Sequence, residues 1–268
     1  MAEVVLIEVQ DGVAVLTLNR PDRLNAWTGE MQIRYFDLLE ECAARDEVRV
    51  IVLTGAGRGF CAGADMQNLQ ALSDGAGGET SSTVDERAVR FPLSIPKPII
   101  AAINGPCAGL GLVVALTCDL RFAASDAKLT TAFVRRGLVA EHGSSWILPR
   151  LVGPARALDL LLSGRVVLGE EAAEMGLVNG AFPANALLDE TLNYARMLAR
   201  ECSPASMAAM KRQVYAALTQ NLADAVSDAD GLMVDSFSRP DFAEGVRSFL
   251  ERRSPAFQPL DPTPVGTP

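Results

Sequence analysis

The sequence predicts a layered α/β protein with a largely parallel sheet, and three observations carry that expectation. Residues 99–121, IIAAINGPCAGLGLVVALTCDLR, read as buried strand, glycine turn, buried helix and strand, because Ile99–Ile103 and Leu110–Leu116 are apolar throughout and Asn104-Gly105-Pro106 separates them. Residues 48–54 form another apolar run that ends in a second glycine-rich turn, residues 55–65. Strands and helices then alternate with short connections, the order expected when helices cross over a parallel sheet.

Taken in order, residues 4–9 and 13–19 are apolar runs joined through Asp11-Gly12, which predicts a β-hairpin. Thr28 is placed to cap a helix through Met31, Ile33, Phe36, Leu38 and Leu39 to about Ala44. Residues 73–82, SDGAGGETSS, have little to pack and predict a mobile surface loop that gates a nearby site. Residues 84–93 predict a short helix stopped by Pro92 and Pro96, and residues 128–131 a further strand. Residues 133–153 predict a loop and helix containing Glu141, His142 and Trp146. From residue 187 onward the pattern is helical, at 187–201, 204–218, 222–237 and 242–252. These readings divide the chain into a core (1–186), a helical region (187–258) and a proline-rich, disordered tail (259–268).

At 268 residues, 49% hydrophobic and 21% charged, the chain can bury a large core. Five cysteines, at 42, 61, 107, 118 and 202, have neither CxxC nor metal-ligand spacing; they predict reduced thiols, no metal site and a cytoplasmic protein. No run reaches the ~18 apolar residues of a membrane span. A net charge of −9 argues against nucleic acid as a partner, since phosphate neutralisation needs clustered cations.

Two glycine turns, each after a buried strand, allow two readings. The glycines either let a helix pack on its strand, or they leave backbone N–H groups free to meet one ligand oxygen. Gly109 and Gly111 flank Leu110, at a helix start where such donors belong. Neither Gly55-x-Gly57 nor Gly109-x-Gly111 completes G-x-G-x-x-G, which disfavours a nicotinamide cofactor. His142 is the sole histidine and G-x-S-x-G is absent, which disfavours a serine hydrolase. Cys61 and Cys107, beside the turns, read as small packing residues.

FCAGAD (60–65), INGPCAGLG (103–111) and TCDLR (117–121) together resemble the crotonase, or enoyl-CoA hydratase/isomerase, superfamily. LNRPDRLNAW (18–27), IPKPIIAAING (95–105), LPRLVG (148–153), EEAAEMGLVN (170–179) and FLERRSPAF (249–257) follow the family's order, so the resemblance spans about residues 4–258. It implies a spiral of ββα units with a helical C-terminal trimerisation region, in homotrimers often paired into hexamers. It also implies an acyl-CoA thioester substrate, with coenzyme A part of that substrate and no separate cofactor. Carried over position by position, the backbone N–H groups of Ala62 and Leu110 become the donors to the thioester oxygen. Arg23, Leu24, Ala26, Ala64, Asp65, Met66 and Gly109 become the coenzyme A site, with Arg20 adding positive charge. Arg252 and Arg253 are either further charge from a neighbouring subunit or a solvated helix end.

The chain departs from the family where hydratases carry two glutamates, for those positions hold Val113 and Phe133, and neither can move a proton. Glu141 remains, in a segment that resembles enoyl-CoA isomerases and a ring-epoxide isomerase with one acid at this site. One carboxylate suits an isomerase, which takes a proton from C2 and returns it at C4. A hydratase using Glu141, and a non-catalytic acyl-CoA-binding protein, are the alternatives.

Overall fold

The computed structural model describes residues 3–75, 85, 87 and 89–261. The hairpin is there: β1 (Val5–Gln10) pairs antiparallel with β2 (Val13–Leu18), and both turn residues, Asp11 and Gly12, have positive φ, as a tight hairpin of the right twist requires. Then come α1 (Gly29–Ala44), β3 (Val50–Gly55), α2 (Met66–Ser73), β4 (Ile99–Ile103), β5 (Cys107–Ala108), α3 (Leu110–Leu116), β6 (Leu120–Ala124) and β7 (Lys128–Thr130). The rest comprises α4 (Ser144–Ser163), β8 (Val167–Leu168), α5 (Gly169–Glu174), β9 (Gly180–Phe182), α6 (Leu187–Glu201), α7 (Pro204–Ala217), α8 (Leu222–Phe237) and α9 (Pro240–Glu251).

Six strands form one sheet in the order β1-β2-β3-β4-β6-β9, parallel from β2 onward, and β5, β7 and β8 form a second, smaller sheet. Successive turns of chain place one strand in each sheet before a helix, as in β4-β5-α3. That alternation is the ββα spiral. Strands β3 and β4 are buried along their whole length, which explains why they read as unbroken apolar runs. Helix α6 covers this sheet with a stripe of Leu187, Thr191, Ala195 and Ala199, one residue per turn and all buried.

Local signals fix the element ends. Thr28 Oγ1 accepts the Met31 N–H at 3.2 Å and starts α1. The buried Lys97 ammonium donates to Cys42 O and Arg45 O and closes its far end. α4 changes direction at Gly153, whose φ of 79° interrupts the helical backbone just before Pro154. Two expectations need revision or fall elsewhere. Within 84–93, the described residues form a single 3₁₀ turn at Phe91–Ser94, because Pro92 sits in its first turn and cannot continue a longer helix from upstream. Residues 85, 87, 89 and 90 are not helical, while residues 84, 86 and 88, residues 76–82 of the expected gating loop, and tail residues 262–268 lie outside the described residues.

Candidate active site

Asn104 binds the two glycine turns together. Its Oδ1 accepts the Gly55 N–H at 3.2 Å, while its Nδ2 donates to Gly55 O and Gly57 O. A short parallel bridge continues the contact, with Cys61 N–H donating to Pro106 O and Ala108 N–H to Cys61 O. At this closeness only glycine fits in two places. A Cβ on Gly111 would stand 2.2 Å from Cys61 O, and one on Gly63, at φ +100°, would stand 2.8 Å from Ala108 O.

Between the turns lies a cavity of about 310 Å³. Its lining brings together Arg23, Ala26, Ala62, Ala64, Asp65, Met66, Gly109, Leu110 and Glu141 of the residues expected from sequence. Leu24 does not line it. That residue is half-buried, holds a left-handed backbone conformation and uses its carbonyl within the protein.

The backbone accounting separates the two expected donors. Leu110 opens α3, and its N–H finds no acceptor among the described hydrogen bonds, as expected for a first-turn amide. The Ala62 N–H, by contrast, donates to Leu24 O at 3.0 Å, so it is not available to a ligand. This corrects the donor assigned from the sequence. Two residues on, Trp27 N–H donates to Gly63 O and Asp65 N–H to Trp27 O, in a parallel bridge centred on Ala64. Such pairing turns the N–H of Ala64 to the other side, where it has no described partner and Ala64 lines the cavity.

Two carboxylates line the cavity among the described residues, and they are unequal. Asp65 caps α2 by accepting the Gln67 N–H at 3.0 Å and pairs with Arg20 at 2.9 Å. Partial burial works to raise its pKa, but these donors outweigh it and hold the carboxyl below its ordinary range. Arg20 is thereby committed to Asp65 rather than left to a ligand. Glu141 is half-buried on the loop before α4, and its carboxylate has no described hydrogen bond or ion pair, with His142 as its electrostatic neighbour. Phe133 also lines the cavity, whereas Val113 is sealed in the core at 1% exposure. Cys61 and Cys107 are fully buried, and loss of solvent pushes both thiols upward, Cys61 to about 12, which removes them as nucleophiles.

Sequence reasoning overlooked Arg136, which lines the cavity from the same loop as Glu141. The signal available was the basic pair Arg135-Arg136, two residues after Phe133. No group of three or more His, Cys, Asp or Glu side chains is arranged for a metal among the described residues.

A spiral of ββα units with a cavity between its two glycine turns defines the class. The chain belongs to the enoyl-CoA hydratase/isomerase family, of the crotonase superfamily: that family's model matches residues 8–259. It is therefore an enzyme of that family. It is 36% identical to the 1,2-epoxyphenylacetyl-CoA isomerase of Escherichia coli over 261 residues, 96% of this chain and 99% of the relative. It is 38% identical to the enoyl-CoA hydratase ACTT3 of Alternaria alternata, over 92% of this chain and 83% of that one. Its fold superimposes on an enoyl-CoA hydratase from Polaromonas sp. JS666 with a TM-score of 0.89, at 30% identity, covering 95% and 99% of the two chains.

Proposed function

We propose that this enzyme moves a carbon–carbon double bond within an acyl-CoA thioester, with Glu141 as its single acid and base. The observation that carries this reading is the inequality of the two lining carboxylates: Asp65 is bound on both sides and Glu141 is not. The N–H groups of Ala64 and Leu110 would receive the thioester oxygen. Glu141 takes the proton from C2 of a 3-enoyl thioester, the electron pair moves onto the oxygen as a dienolate, and the same carboxyl returns the proton at C4. The carbonyl and the carboxylate are then both restored, and a 2-enoyl thioester leaves. Each donor to the developing oxyanion contributes on the order of 3 kcal/mol to the transition state. In this assignment coenzyme A lies along Arg23, Ala26, Asp65, Met66 and Gly109, and it enters as part of the substrate.

Hydration by Glu141 alone is the second reading, favoured by the hydratase names of close relatives. Phe133 weighs against it, because an apolar ring stands in the cavity where a second carboxylate would hold the attacking water. The experiment is a turnover comparison of 2-enoyl- and 3-enoyl-CoA thioesters with the wild-type enzyme and Glu141→Gln. For the isomerase reading, 3-enoyl turnover falls about 10²–10⁴-fold in the variant while coenzyme A affinity holds. Full turnover by Glu141→Gln overturns the assignment, and water addition without isomerisation selects the hydratase.

A further inference from the structure

Glu141 shares its wall of the cavity with a cation. The stretch 131–141 presents Thr131, Ala132, Phe133, Arg136, Leu138 and Glu141 to the cavity, three of them apolar. Arg136 ends the 3₁₀ turn Val134–Arg136 and is exposed. Its guanidinium makes one described hydrogen bond, a long 3.4 Å contact from Nη1 to Ala132 O, and no described carboxylate pairs with it. Other arginines nearby are occupied or sited elsewhere. Arg135 donates to Ser163 O, Arg20 is paired with Asp65, and Arg23 lines the cavity from the separate turn Pro21–Arg23. Most of the five N–H donors of Arg136, a residue of the cavity lining, thus have no described partner.

The wall that carries Glu141 identifies which part of a substrate Arg136 meets. A group that moves protons between C2 and C4 must lie against the acyl chain, so residues sharing its loop address the acyl group rather than the nucleotide. A planar guanidinium beside Phe133 and Leu138 is matched by an acyl chain that ends in a two-oxygen anion, held by paired N–H···O bonds. We propose that Arg136 is a specificity residue that selects acyl-CoA thioesters whose acyl group carries a carboxylate. This inference rests on the reading of Glu141 as the proton-transferring group.

The test uses saturated ligands that cannot react, so it is separate from turnover. Calorimetric affinities for adipyl-CoA, hexanoyl-CoA and free coenzyme A are measured with the wild-type enzyme, Arg136→Gln and Arg136→Lys. The wild-type enzyme is expected to prefer adipyl-CoA to hexanoyl-CoA by about tenfold or more, the worth of a charge-assisted pair. Arg136→Gln brings that ratio close to one, and Arg136→Lys restores part of it. Absence of a wild-type preference, or a variant that weakens all three ligands equally, overturns the proposal, the latter by making Arg136 a nucleotide contact. Failure of all three ligands to bind the wild-type enzyme overturns this proposal together with the acyl-CoA reading. A preference that survives in an enzyme whose Glu141→Gln variant keeps full turnover would leave the specificity assignment standing and remove only the proton-transfer role.

Discussion

At Gly111 the whole site depends on one missing carbon. Its α-carbon lies so close to the Cys61 carbonyl that an added methyl would overlap it at 2.2 Å, and the blocking atom is backbone, which cannot rotate aside. Gly111→Ala should therefore push α3 away from the turn at 61–65 and separate the Ala64 and Leu110 amides. The expected outcome is a loss of ~1–3 kcal/mol in stability, typical of overpacking, with a larger fall in kcat than the melting temperature alone would suggest. Unfolding curves and turnover on the same variant check this, and an unchanged kcat would dissociate those amides from the reaction. The close approach of the two glycine turns was legible in the sequence. Which amide in FCAGAD is free was not, because Ala62 and Ala64 are the same residue type and differ only in what Leu24 and Trp27 take up.

Between elements, the helical end is fastened to the sheet by a partly buried polar cluster. Asp119 accepts the Ile99 N–H at 2.7 Å, the Lys211 ammonium at 2.7 Å and the Tyr215 hydroxyl at 2.9 Å, so one carboxylate joins the start of β4 to α7. Burial pushes the Lys211 ammonium below its ordinary range, and Asp119 opposes that shift. Asp119→Asn removes the opposing charge and leaves a buried cation with only the carbonyls of Pro92 and Lys97 and a neutral amide. A loss of ~3–5 kcal/mol is expected near neutral pH. The lysine's folded pKa then lies further below its unfolded value, the unfolded chain binds more protons in that interval, and the variant regains stability as pH rises toward 10. Denaturant midpoints across pH 7–10 check the sign; a deficit that stayed constant would locate the damage elsewhere. The four terminal helices were readable from their periodicity to within two residues, whereas the cluster joining them to residue 119 was not, since its partners lie 92 and 96 positions apart.

For the molecule as a whole, the chain leaves much apolar surface uncovered. Leu222 is 81% exposed, Phe249 82% and Leu250 74%, and α8 buries none of its residues, so the helical end has a hydrophobic face without a partner inside one chain. Assembly into trimers or paired trimers through that face is our proposal. Light scattering should return a mass of three or six times 28.5 kDa, and the double variant Phe249→Glu, Leu250→Glu should shift it toward the monomer. A monomeric wild-type enzyme at micromolar concentration would refute it. The spiral followed from resemblance and the strand order was not legible at all, because a periodic pattern shows that strands and helices alternate but not which strands enter which sheet. One division of labour within the fold has a consequence for how such enzymes diversify. The two amides at the cavity belong to turns locked into the sheets, while Arg136 and Glu141 come from the stretch 134–141, none of which is buried; Phe133, just ahead of it, belongs to the core. Under the roles proposed for Glu141 and Arg136, mutational drift can therefore rewrite the chemistry and the acyl preference at low risk to folding, and a library randomised at 134–141 would vary both while inheriting the frame.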